Sequence, residues 1–160
     1  MKDITITTRF SVFEDAADLP ANIQTLMQQA VTIRKQAYAP YSKFRVGAAL
    51  LLDNGETVLG SNQENAAYPS GLCAERVAVF YAGAMYPNAK ILKMAISAAA
   101  DSGTTTEPIP PCGACRQSIA EYELRQESPI AIYFMGETGA VYKSESLQNL
   151  LPFMFDKNFL

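Results

Sequence analysis

Residues 44–60 read FRVGAALLLDNGETVLG. A run rich in Val, Ala and Leu over 44–52 is broken by Asp53-Asn54-Gly55, residues that tolerate the backbone of a tight turn, and a second run follows over 56–60. This is a β-hairpin. Upstream, residues 20–38 place Ile23, Leu26, Met27, Ala30, Val31, Ile33 and Ala37 near helical spacing, with Pro40 ending the helix. Downstream, apolar residues continue over 74–84 without strand alternation, long enough for a buried helix whose start lies at Ser70-Gly71-Leu72-Cys73. Residues 91–99 read as a buried strand, and the Thr- and Pro-rich stretch 100–111 as a loop. A second buried helix is predicted over 112–122, because Pro110-Pro111 cannot lie inside a helix but can lead into its first turn. An apolar strand over 129–135, a turn at 136–139, a short partner strand at 140–143 and a last helix beginning over 144–150, capped near Ser144 or Ser146, complete the chain. The order α-β-β-α-β-α-β-β-α predicts an α/β fold with a five-stranded sheet, mixed because tight turns force antiparallel pairs while strand-helix-strand crossovers favour parallel ones.

A length of 160 residues suits one domain. We place it at 20–160, behind an N-terminal arm at 1–19. With 49% hydrophobic and 18% charged residues the chain is neither disordered nor fibrous. A net charge of −3 without any Lys/Arg run offers no footprint for a nucleic acid polymer. No stretch approaches the length of a membrane span, the N-terminus has no apolar signal region, and three cysteines cannot pair completely, so a reducing, cytoplasmic setting is expected. Histidine is absent, which removes Ser-His-Asp triads, Cys-His nucleophile pairs and two-His zinc sites together.

Cys112-Gly113-Ala114-Cys115 at a predicted helix start has two readings, a metal half-site or a redox dithiol. Cys73, also at a predicted helix start, adds a third thiol where free backbone N–H groups and the positive end of the dipole favour thiolates. Three thiolates fit zinc. With no fourth Cys and no His, the set points to a site whose fourth position is open to water, unless an Asp or Glu closes it. Glu75, two residues after Cys73, is placed to take a proton from a metal-bound water without binding the metal itself. Alone it would read as an ordinary carboxylate at a helix N-terminus. Arg76 follows directly and would offset the −1 charge of three thiolates on Zn²⁺.

Cys73-Ala74-Glu75 followed by Pro111-Cys112-Gly113-Ala114-Cys115-Arg116-Gln117 resembles the three-cysteine form of the zinc-dependent cytidine deaminases, whose chemistry uses a Glu that is not a zinc ligand and a P-C-x-x-C element. The resemblance extends to Tyr41-Ser42-Lys43-Phe44, to Val46-Gly47-Ala48-Ala49-Leu50 and to Asn62-Gln63-Glu64-Asn65-Ala66-Ala67-Tyr68, covering residues 37–151. It implies a three-layer α/β/α fold with Cys73, Cys112 and Cys115 holding Zn²⁺. It implies that a zinc-activated water attacks C4 of cytosine while Glu75 moves protons to N3 and to the departing ammonia. Cytidine and deoxycytidine would become uridine and deoxyuridine, in pyrimidine salvage. By the same resemblance Asn62 and Glu64 hold the ribose, Phe44 packs on the pyrimidine and the Ala74 N–H contacts the base. The family is typically homotetrameric with shared sites, and Leu150-Leu151-Pro152 with Phe155 resembles the segment whose aromatic residue completes a neighbour's site.

Three rivals make different predictions. A deaminase of modified cytosine nucleosides, such as blasticidin-type antibiotics, would share the zinc motif. A non-catalytic zinc protein would be indifferent to Glu75→Gln. A dithiol redox protein would use Cys112 and Cys115 and leave Cys73 without a role.

Overall fold

The computed structural model describes residues 1–160. Six strands and three helices follow in chain order: β1 (Ser11–Phe13), α1 (Ala21–Arg34), β2 (Phe44–Leu52), β3 (Thr57–Ser61), α2 (Ala74–Met85), β4 (Ile91–Ala100), α3 (Gly113–Gln126), β5 (Ala131–Met135) and β6 (Val141–Ser144). They form one sheet in the order β1-β6-β5-β4-β2-β3. The predicted hairpin is β2–β3, paired from Gly47↔Ser61 to Leu51↔Thr57. Only β4 and β5 run parallel, joined by the crossover through α3 that a parallel pair requires.

Alternation along the strands divides the core into two faces. Ala48, Leu50, Leu52, Met94, Ile96, Ile132 and Phe134 pack with α2 and α3 on one face. Ala49, Ala95, Tyr133 and Met135 pack with Ile23, Leu26, Met27 and Ala30 of α1 on the other. Strands covered on both sides read as nearly continuous apolar runs, which is how β2 and β4 look in the sequence. The result is a three-layer α/β/α sandwich. No helix is long and apolar enough to cross a membrane.

Three expectations are corrected. The sheet has six strands, not five: β1, from the arm, pairs antiparallel with β6 through Ser11↔Lys143, Val12↔Tyr142 and Phe13↔Val141. Three residues carry too little pattern to register as a strand, and this pairing partner lies far along the chain. The first helix ends at Arg34 instead of Tyr38, because Tyr38 is taken into tertiary hydrogen bonds: its N–H donates to the Asn62 carbonyl and its own carbonyl accepts from the Glu64 N–H. The last helix is a single 3-10 turn, Leu147–Asn149, capped by Ser146. Glu123 of α3 binds the Ser146 hydroxyl at 2.6 Å and the Leu147 N–H at 3.0 Å, which holds that backbone in a tight turn.

Gly60 connects the sheet to the site. A Cβ there would lie 2.5 Å from the Ala74 carbonyl oxygen and 2.7 Å from the Ala78 nitrogen, so α2 seats its first turns against β3 only because that side chain is missing. Backbone cannot swing aside as a flexible side chain can. Gly60→Ala is therefore expected to destabilise the protein by at least about 2 kcal/mol in urea or guanidinium unfolding, toward the upper range for overpacking. The start of α2 would shift with it.

Candidate metal and catalytic centre

Two helix starts meet at the site. Cys73 is the N-cap residue of α2 and Cys112 that of α3, both with extended backbone and neither using its side chain as a cap. Cys115 lies one turn into α3 and is fully buried, Cys73 is half-buried and Cys112 exposed. The sulfurs of Cys73 and Cys112 are 3.9 Å apart, those of Cys112 and Cys115 3.5 Å, and all three lie within 4.8 Å of one another. Tetrahedral thiolate ligation at a Zn–S distance of about 2.3 Å sets sulfurs about 3.8 Å apart. The three cysteines therefore fit zinc, and no carboxylate oxygen belongs to the cluster. As a disulfide, Cys112 and Cys115 would need about 2.05 Å between sulfurs.

The electrostatics follow the geometry. The Cys73 thiol is brought down to about 5, first by the neighbouring Cys115 thiol and, against the opposing effect of burial, by Arg76 and Cys112. Cys115 is pushed up, by the Cys73 charge beside it and by burial. The Arg76 guanidinium donates to the Cys73 sulfur over 3.8 Å through Nη2, while its Nε is buried without a partner. Glu75, on the first turn of α2, is only 4% exposed. Burial pushes its carboxyl above the ordinary range, with the neighbouring Cys73 charge adding to the effect. Ala74, the first residue of α2, is fully buried, and its N–H is one of the four that a helix start leaves without an internal acceptor.

Beside the cluster opens a cleft of about 470 Å³, with Cys73 and Arg76 in its wall together with Tyr41, Ser42, Asn62, Gln63, Glu64, Asn65 and Tyr68. Asn62 is nearly buried, and its amide bridges β2: Oδ1 accepts from the Val46 N–H at 2.8 Å and Nδ2 donates to the Phe44 carbonyl at 3.0 Å. One amide hydrogen and one lone pair remain for a ligand. Glu64 accepts from the Tyr41 and Ser42 N–H groups at 2.9 and 3.2 Å and from the Ser42 hydroxyl, and that hydroxyl lowers its pKa most. Phe44 is half-buried at the start of β2 and donates its N–H to Ser42 Oγ at 3.0 Å. Phe155 lies elsewhere, exposed and stacked on Phe159 at 5.8 Å, outside this cleft.

Sequence reasoning assigned no role to Ser42, which joins Glu64 to Phe44. It lies inside the Tyr41–Phe44 motif, but a serine in a loop carries no signal of its own. Lys43, beside it, has a φ of 55°, a left-handed backbone uncommon for a non-glycine residue and one that propensity does not reveal.

Residues 20–128 match the sequence profile of the cytidine and deoxycytidylate deaminase zinc-binding region. The chain is 39% identical over 139 residues to a cytidine deaminase of Sporosarcina psychrophila, covering 87% of this chain and 95% of that one. It is 48% identical over 98 residues to a cytidine deaminase of Halalkalibacterium halodurans, covering 61% and 70%. Its fold superposes on the crystal structure of a cytidine deaminase from Burkholderia pseudomallei with a TM-score of 0.71 at 34% identity, covering 86% and 100%. The profile match spans both helix starts that carry the sulfurs and the residues of the cleft beside them, and the chain belongs to the zinc-dependent cytidine deaminase family.

Proposed function

We propose that this protein hydrolytically deaminates cytidine and deoxycytidine to uridine and deoxyuridine, releasing ammonia, with Cys73, Cys112 and Cys115 as zinc ligands and Glu75 as the proton carrier. The observation that carries the reading is a buried, non-ligating carboxyl on the same helix start as a cysteine of the three-sulfur cluster, next to a nucleoside-sized cleft. Cys73, Cys112 and Cys115 would hold the zinc, which would supply Lewis acidity enough to bring the pKa of a water to about 7 and so make it a nucleophile at neutral pH.

The chain's own residues supply the rest. Glu75, a buried carboxyl, would carry two protons in turn, the first from the attacking water to the ring nitrogen and the second from the same oxygen to the departing amino group, so that the two protons of the water leave one on N3 and one on ammonia. Arg76, held on the Cys73 sulfur, offsets the negative charge of the thiolates. The free Ala74 N–H is aimed from the helix start at the pyrimidine, and Phe44 supplies an apolar surface for it. Asn62 and Glu64 bind the sugar hydroxyl with the hydrogen-bonding capacity that their backbone contacts leave over. Holding the sugar at two points fixes the base at the reacting centre, where orientation lowers the barrier.

We place the enzyme in pyrimidine salvage as a homotetramer in which Phe155 completes a neighbouring site. In support, Phe155 is exposed and away from its own cleft, as a residue used by another copy must be. The test is ammonia release from cytidine and deoxycytidine by the zinc-loaded protein, followed across protein concentrations with light scattering. Release of one ammonia per nucleoside by a tetramer supports the whole proposal. Full activity in a stable monomer would overturn the shared site, and silence on both nucleosides with turnover of a modified cytosine nucleoside would overturn the substrate.

A further inference from the structure

We propose that Arg116 is a positioning residue that locks the Cys112 end of the metal cluster onto the C-terminal segment and thereby slows loss of the metal. The inference rests on the three-sulfur zinc site argued above. Cys112 arrives at α3 from a stretch poor in backbone support, since neither Pro110 nor Pro111 has an N–H to donate. Arg116 holds the peptides on both sides of it. Its side-chain Nε donates to the Pro111 carbonyl at 2.8 Å, and its backbone N–H donates to the Cys112 carbonyl at 2.9 Å. The other arm of the guanidinium, Nη1, donates to the Leu150 carbonyl at 3.0 Å.

Leu150 is itself held. It ends the 3-10 turn Leu147–Asn149, which Glu123 grips through the Leu147 N–H and the Ser146 hydroxyl. Glu123 and Arg116 both belong to α3, so helix, turn and Pro111 loop close into one frame with Cys112 at its edge. A planar guanidinium with donors in fixed directions can span two carbonyls, whereas an ammonium on a flexible stem is a single point of attachment. Arg116 does not touch the sulfurs. It restrains the backbone that one of them hangs from, and the groups that orient metal ligands typically change metal affinity by about 10–100-fold when lost.

The experiment compares zinc-loaded parent, Arg116→Gln, Arg116→Lys and Gln117→Ala. Gln117 is the control: its side chain donates to the Phe155 carbonyl, whereas the Pro111 and Leu150 carbonyls accept from Arg116. Zinc release to excess chelator is followed, and melting points are taken with and without metal. Arg116→Gln is expected to release zinc about tenfold faster, Arg116→Lys to fall between it and the parent, and Gln117→Ala to match the parent. Arg116→Gln should also lower the melting point of the zinc-bound form more than that of the metal-free form, which a merely structural role would not do. Arg116→Lys keeps the comparison available where the Gln variant folds poorly. Parental release rates in both Arg116 variants, or equal melting losses with and without zinc, would overturn the proposal and leave the zinc site standing. A parent that takes up no zinc would overturn both.

Discussion

Glu75→Gln is expected to leave the protein folded and fully zinc-loaded while lowering cytidine deamination by about 10³-fold, within the range that a lost general acid-base group produces. Glutamine has the volume of glutamate, so it fills the same buried place on α2 without a cavity or a clash. It can still donate and accept hydrogen bonds, but it cannot take up a proton and hand it on. The folded protein already disfavours charge on Glu75, because burial pushes its carboxyl above the usual range. A neutral amide removes that penalty, and the thermal midpoint should stay the same or rise. Zinc content per chain, thermal melting and ammonia release separate the effects. Retained zinc with activity within tenfold of the parent would take the proton-carrying role away from Glu75.

Cys115→Ala should do the reverse, sparing Glu75 and destroying the site around it. Cys115 is fully buried and its sulfur is 3.5 Å from that of Cys112, so its loss takes one of three ligands and leaves two. If groups that only orient a ligand are worth about 10–100-fold in affinity, a ligand itself should be worth more than about 100-fold. The purified variant is expected to carry little zinc and to show no deamination above background. Because metal binding adds to folding free energy, its melting point should fall toward that of the chelator-treated parent, and adding zinc should raise it far less than in the parent. Normal zinc content in Cys115→Ala would mean that another group closes the site.

The centre is the most legible part of the molecule. A C-x-x-C after a double proline, a third cysteine at an earlier helix start and a glutamate two residues beyond it are all local features. The fold needs only to bring the two helix starts together, which Gly60 allows by letting the backbone of α2 close on β3. The substrate wall is less legible. Asn62 and Glu64 could be picked out by motif, but their prior commitments could not: one amide is tied to Val46 and Phe44, one carboxylate to Tyr41 and Ser42. Those bonds join residues about twenty positions apart, and no local pattern records them.

By itself, the amino-acid sequence determined the α/β class, the hairpin at 44–60, the three long helices and the placing of the three cysteines and Glu75 at two helix starts. Each depends on residues close together in the chain, where periodicity, turn residues and helix-start chemistry act directly on the backbone. Tertiary structure alone decided that Ser11–Phe13 joins β6 as a sixth strand, that the helix after Ser144 shrinks to one turn under the grip of Glu123, and that Arg116 ties Pro111 to Leu150. In each case the deciding hydrogen bonds draw on groups distant in the chain. Their energy becomes available only after the sheet and helices have brought those groups together, so a short segment weak in its own propensity takes the conformation its partner imposes.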